Sequence, residues 1–243
     1  MLRYFCELSF KGTEFHGWQR QVNADTVQES IEVSLSHLFS GTSYPIIGCG
    51  RTDTGVHANQ YFFHIDLPHQ LDVESVQHKL NLLLPKSIVI HKIYVVDAQL
   101  HARFSATLRT YRYFIHTSKN PFNDEVSWYN RKEHDITLMN QAAALLIGKH
   151  DFASFAKVHS DVSTTICDVS FAKWTVEGSQ LIFEISANRF LRNMVRAIVG
   201  TLLEVGSGKL KSDAISLIMA QKNRQAAALS VPPQGLFLWK VTY

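Results

Sequence analysis

Apolar and polar positions alternate along Leu2–Phe10, the period of a strand with one buried face. Over residues 26–39 the spacing changes to a helical one, with Val27, Ile31, Leu35 and Leu38 on a single face and Asp25 placed to cap it. Residues 44–49 and 56–67 return to strand character on either side of a glycine-bearing segment. Residues 72–84 repeat the helical period through Val73, Val76, Leu80 and Leu83, and Ile88–Val96 is a β-branched strand. The order is β-α-β-β-α-β, the split βαβ unit. A similar order follows: strand 107–116, helix 138–147, strands 165–176 and 181–187, helix 191–205, a further helix at 213–219, and a strand at Leu236–Thr242.

This pattern predicts an α+β protein of two split βαβ (ferredoxin-like) halves, residues 1–100 and 101–243, with the boundary near 97–101. Element order alone carries that duplication, because no repeat is legible in the residues themselves. The longest polar connections, 120–132 and 150–163, are candidates for surface flaps. A chain of 243 residues buries roughly 70–75% of its unfolded surface, so the core needs no staple. Cys6, Cys49 and Cys167 are odd in number and far apart, which suggests reduced thiols rather than a disulfide framework or a zinc site. No apolar run is long enough to span a membrane, and the protein is expected to be soluble and cytoplasmic.

The net charge of +3 does not by itself call for a nucleic-acid partner. The distribution is more informative. Arg103, Arg109 and Arg112 crowd one stretch, interleaved with Phe104, Tyr111 and Tyr113, and unstacked bases need flat partners as well as cations. Arg189, Arg192 and Arg196 recur at a spacing that would place them on one helical face. A solvated basic face would read the same way.

Gly50-Arg51-Thr52-Asp53-Thr54-Gly55-Val56-His57-Ala58 isolates one carboxylate between two glycines, with an arginine two residues before it. Glycines permit a turn that other residues avoid, and a guanidinium within pairing distance favours the ionised carboxylate. Such an Asp53 would act as a nucleophile rather than as a proton donor. By itself the same pattern also fits an Asx-turn between two strands.

Gly-Arg-Thr-Asp-x-Gly-Val-His-Ala resembles the active-site signature of the tRNA pseudouridine synthase A family, and further stretches resemble that family in the same order. They are Phe15-His16-Gly17-Trp18-Gln19-Arg20-Gln21, Thr26-Val27-Gln28-Glu29, His101-Ala102-Arg103-Phe104-Ser105-Ala106-Thr107 running into Tyr111-Arg112-Tyr113, His150-Asp151-Phe152-Ala153-Ser154-Phe155, Phe190-Leu191-Arg192-Asn193-Met194-Val195-Arg196, and Pro233-Gln234-Gly235-Leu236. The resemblance implies two antiparallel sheets joined side by side, helices behind them and an open RNA-binding face in front. It implies Asp53 as nucleophile, Tyr111 stacked on the target base with its hydroxyl placed for the final proton removal, Arg196 paired with the carboxylate, and Leu236 lining the base pocket. Arg51 would reach the target's phosphate or flanking bases. Trp18, Gln19 and Arg20 read as an RNA-facing loop on their own chemistry, since indole, amide and guanidinium in sequence can stack, read an edge and neutralise a phosphate. Arg103 matches a family position in contact with RNA, with Phe104, Arg189, Arg192, Lys157 and His159 as further candidates. Implied partners are tRNA, at uridines on the 3′ side of the anticodon stem-loop, and a second copy of the chain. The isomerisation conserves atoms, so no cofactor is expected, and the twelve histidines show no metal-binding spacing.

Without the resemblance, Tyr111 reads as a packing residue, Arg196 as part of a helix surface and Leu236 as core. Thr54 and Thr164 depart from the family pattern, where alanine and arginine are usual, and Thr164 puts one RNA contact in question. Asp53-Thr54-Gly55 also spells the aspartic-protease triplet, but Arg51-Thr52 stand where such enzymes have apolar residues, and no second triplet occurs. An RNA-binding module without chemistry is the other alternative, opposed by the joint presence of Asp53, Tyr111 and Arg196.

Overall fold

The computed structural model describes residues 1–158 and 163–243. Contacts divide the chain into two units, residues 1–107 with 238–243, and residues 108–237. In the first, β1 (Leu2–Phe10) lies between β3 (His57–Leu67) and β4 (Ile88–Val96), antiparallel to both. The short strand β2 (Ile46–Gly48) pairs with β3. Two helices, α1 (Val27–Leu38) and α2 (Val73–Leu83), complete the unit, so the split βαβ order of the sequence is the order of the structure.

Tyr4, Cys6, Leu8 and Phe10 are buried at alternate positions of β1, which is why that strand was legible. Phe5, on the opposite face, is buried as well, with Tyr243 edge-on at 5.2 Å and His64 stacked at 6.1 Å. Residues 101–107 hold to this unit, not to the second as the expected boundary had it. Ala102 N donates to His64 Nδ1 (3.1 Å), Tyr243 Oη donates to Ala102 O (2.7 Å), and Thr107 N donates to Thr242 O (2.8 Å). The last strand, β10 (Leu236–Thr242), therefore begins in the second unit and ends in the first.

In the second unit, β5 (Leu108–His116), β9 (Gln180–Ala187), β8 (Ile166–Glu177) and β7 (Gly148–Asp151) form an antiparallel sheet in that order. A two-residue strand, β6 (Trp128–Tyr129), runs parallel to β5. The helices are α3 (Ile136–Ala144), α4 (Met194–Gly206) and α5 (Ala214–Gln221). The arrangement β5-β9-β8 repeats β1-β3-β2, the same strand roles in the same chain order. Helix α4 is buried on nearly every side, and only Arg196 and Glu204 reach partial exposure.

Three expectations are corrected. The cap of α1 is Thr26, not Asp25: its extended backbone (φ −133°) lets Oγ1 accept from Glu29 N at 3.3 Å. Helix α4 starts at Met194 because Asn193 adopts a left-handed conformation (φ +66°) that no helix interior accommodates. Arg189 and Arg192 therefore precede the helix and do not share a helical face with Arg196. Finally, β6 lies inside the segment 120–132 that reads as a polar connection and β7 overlaps the start of 150–163, since strands of two and four residues are too short to display a period. Among the described residues, no helix is long and apolar enough to cross a membrane. The three cysteines are free and buried, and burial pushes the Cys167 thiol up to about 11.

His64 gives the first unit a pH dependence. Burial, then the neighbouring Arg3 and His101, hold its pKa down at about 4, with Asp66 opposing. The unfolded chain's imidazole takes up a proton near pH 6.5, so between that value and about 4 the unfolded state binds more protons and stability falls as pH falls. Unfolding free energy measured by denaturant titration across this window should drop more steeply in the natural chain than in His64→Gln, which keeps an acceptor for Ala102. Equal slopes would remove His64 from the pH response.

Candidate active site

In the first unit the Asp53 loop is clamped by residues 12–18. Gly17 has φ +89°, and a Cβ there would lie 2.3 Å from Thr52 O, so only glycine lets the two backbones touch. Gly12 is similarly committed, with the position of a Cβ only 2.0 Å from Val56 O. Val56 N donates to Asp53 O (3.1 Å), closing a turn around the carboxylate, and Gly55 N donates to Phe15 O (3.2 Å). At the entry to the loop, Cys49 N donates to Phe62 O (2.8 Å) and the Tyr61 hydroxyl donates to Gly50 O. His57, fully buried, accepts from Gly12 N through Nδ1 at 3.0 Å. Asp53 is half-buried on this frame, and Arg51 is exposed.

Trp18 corrects its expected role as an RNA contact. It is 2% exposed, stacked on Tyr61 with ring centroids 4.1 Å apart, and its carbonyl accepts from Gln28 N at the start of α1 (3.0 Å). The neighbouring Gly17 carbonyl accepts from Val27 N (3.2 Å), so two of the helix's unpaired amides fix the clamp in place. An indole buried this way cannot stack on a base; it supports the loop from beneath. Gln19 and Arg20 are exposed, with Gln19 donating to Gln28 Oε1 (2.8 Å) and Arg20 paired to Glu32 (3.2 Å) and Glu29 (3.4 Å). Arg103 and Phe104 project from a turn whose two amides donate to His101 Nδ1, with the Phe104 ring 76% exposed and the guanidinium 5.5 Å from its centroid.

In the second unit, Tyr111 and Tyr113 share one face of β5 and have different environments. Tyr113 is fully buried, its hydroxyl donates to Pro232 O (2.8 Å), and burial raises its pKa. Tyr111 is half-buried, with Phe190 edge-on at 5.0 Å. Phe190 is the residue that the sequence reading passed over, and an aromatic immediately before Leu191-Arg192 was the available signal. Leu236 is 5% exposed and follows a 3-10 turn in which Gly235 lies against the Tyr113 ring.

Arg196 is half-buried in the first turn of α4, and its Nε donates to Val231 O at 2.7 Å while Val231 N donates back to Arg196 O at 3.2 Å. The guanidinium is thus tied to backbone rather than swinging from a solvated helix face. Arg109 donates to Asn188 O (3.0 Å) and Arg112 Nε to Glu184 Oε2 (2.5 Å). Arg189 is half-buried and Arg192 exposed, and the Arg192 carbonyl accepts from Lys157 N (2.9 Å), which brings two basic residues together. His159 lies outside the described residues. Thr164, where the family usually has arginine, is exposed and accepts from Ile166 N through Oγ1 (3.1 Å).

A family model described as tRNA pseudouridine synthase matches residues 142–243. Along the whole chain, tRNA pseudouridine synthase A of Parabacteroides distasonis is 48% identical over 244 residues, covering 100% of this chain and 96% of that protein. The protein of the same name from Bacteroides fragilis is 47% identical over 99% of this chain and 96% of its own length. That from Bacillus subtilis is 37% identical over 100% and 99%. Identity at this level from end to end, on a chain whose Asp53 turn and Arg196 tether are both built into the backbone, establishes that the chain belongs to the tRNA pseudouridine synthase A family.

Proposed function

We propose that this protein isomerises uridine to pseudouridine in tRNA, at uridines on the 3′ side of the anticodon stem-loop, with Asp53 as the nucleophile. The observation that carries the reading is the full-length identity to proteins named for that activity. The half-buried carboxylate on a glycine-clamped turn is the local feature that supports it. The reaction breaks the C–N glycosidic bond and joins the same base to the same sugar through carbon. Its atoms balance without a cofactor, and its chemistry needs a carboxylate, a grip on the detached base and a group to remove the C5 proton.

In this reading Tyr111 stacks on the extruded uracil, with Phe190 keeping its ring upright, and its hydroxyl takes part in the last proton transfer. Leu236 supplies apolar surface against the base. Arg196 holds the carboxylate through Nη1 and Nη2, since Nε is given to Val231. Arg51, exposed beside Asp53, meets the phosphate or flanking bases of a nucleotide whose extrusion costs a few kcal/mol. Gln19, Arg20, Arg103, Phe104, Lys157, Arg189 and Arg192 are the proposed RNA-facing residues, and Trp18 is withdrawn from that set. A homodimer working on one tRNA in the cytoplasm completes the proposal.

Asp53→Asn keeps size and removes the anion, so tRNA binding should stay within a few-fold of the natural chain while pseudouridine mapped at nucleotide resolution becomes undetectable. Tyr111→Phe keeps the ring and should likewise separate binding from turnover. Substantial product from Asp53→Asn would refute the nucleophile assignment.

Arg196→Lys preserves charge but not the planar fork, and a compact ammonium on a flexible stem cannot both bond Val231 O and grip a carboxylate two-handed. Single-turnover rates should fall strongly in Arg196→Lys and further in Arg196→Met, with tRNA affinity modestly changed. A natural rate in Arg196→Met would take the guanidinium out of the chemistry.

A further inference from the structure

Residues 224–231 form a strap over α4, and its bonds converge on the residue that aims Arg196. Arg224 is half-buried, and its Nη1 donates to the carbonyls of Ala227 (3.1 Å) and Ala228 (3.0 Å) while Nη2 donates to Ser230 Oγ (3.0 Å). Ser230 Oγ also accepts from Asn193 Nδ2 at 2.5 Å. Asn193 is the left-handed residue that starts α4, three positions before Arg196, so the strap is fastened to the helix at its first turn. One turn further on, Ala228 N donates to Thr201 Oγ1 (3.2 Å), and Leu229 O approaches Gly200 so closely that a Cβ there would sit 2.1 Å away. Val231, the residue after Ser230, is the one whose carbonyl takes Arg196 Nε.

We propose that Arg224, acting through Ser230 and Asn193, is a positioning residue for Arg196: it fixes the strap so that the Val231 carbonyl holds the guanidinium plane at one angle. A fork bonds well only over a narrow range of orientations. One guanidinium closing a loop by three bonds fixes that orientation before substrate arrives. A lysine at 224 has no planar fork to span Ala227, Ala228 and Ser230 together. The proposal rests on the role of Arg196 given above, and it concerns residues that contact neither the base nor the nucleophile.

Single-turnover kinetics with enzyme saturating over tRNA, paired with thermal melting, separate positioning from folding, because the rate constant reports the assembled site and the melt reports the fraction folded. Displacement of a reacting group by about 1 Å costs on the order of a hundredfold in rate. Arg224→Met should therefore lower the rate constant about tenfold or more, with the folded fraction at the assay temperature unchanged and with tRNA affinity within a few-fold. Arg224→Lys should fall between. Ser230→Ala, the milder change should Arg224→Met fold poorly, should lower the rate constant in the same direction. Arg196→Met combined with Arg224→Met, or with Ser230→Ala, should be no slower than Arg196→Met alone, since an arginine that is absent cannot be misaimed.

A slow Arg196→Met beside natural rate constants in Arg224→Met and Ser230→Ala would overturn the positioning proposal and leave the role of Arg196 standing. Losses that multiply in the combined variants, or that appear in the folded fraction only, would overturn it in favour of a stability role. A natural rate in Arg196→Met would overturn both readings together.

Discussion

The carbonyl of Thr52 occupies the space where a side chain at position 17 would be, and the first unit is organised around that contact. A positive-φ glycine lets two backbones meet, and everything adjacent serves to keep them there. The carbonyls of residues 17 and 18 accept the opening amides of α1, Trp18 stacks on Tyr61, and the Tyr61 hydroxyl holds Gly50 O at the mouth of the same loop. The helix N-terminus, the aromatic pair and the carboxylate turn are thus one mechanical assembly. An aromatic pair of this kind contributes about 0.5–1.5 kcal/mol beyond its burial. Its larger effect is geometric, since the loop residues cannot shift without unstacking it.

The second unit uses the same device with different residues. Gly200 permits the approach of Leu229 O to α4, as Gly17 permits the approach of Thr52 O. Side-chain donors then lock the contact: Arg224 and Asn193 on Ser230, and Thr201 on Ala228. Burial works against the charge of Arg224 and lowers its pKa, and the three hydrogen bonds it donates offset that desolvation. The burial of α4 on nearly every face follows from the same demand. On the proposal above, a helix that presents one arginine at a fixed angle works only with a firmly seated axis.

What was legible in the sequence follows from the range of the interactions involved. Leu2–Phe10 coincides with the strand expected because period-two burial is written in consecutive residues, and Ile88–Val96 because β-branched residues crowd it; Leu236–Thr242 coincides as well. The Asp53 turn was visible for a similar reason, its two glycines lying within three residues of the carboxylate. The start of α4 was not, because the turn before it is decided by Asn193 bonding to a serine 37 residues away. Trp18 was misread on its chemistry: an indole beside glutamine and arginine suits RNA, and only the fold shows Tyr61 beneath it. Gly12, Gly17 and Arg224 carried no local signal, since what each one supports is remote in sequence.

Close backbone packing within each unit bears, on the proposed function, on where the energy of substrate distortion comes from. A target nucleotide must leave its stack at a cost of a few kcal/mol, and binding energy used to order a soft site would be unavailable for that. Here the carboxylate turn and the arginine are held by backbone carbonyls and glycine contacts already present in the chain without RNA. On the proposed function, contacts made by exposed residues such as Arg51, Arg103 and Phe104 can then be directed to deforming the nucleic acid. In the same reading, Asp53 and Arg196 are each held within their own unit before RNA binds.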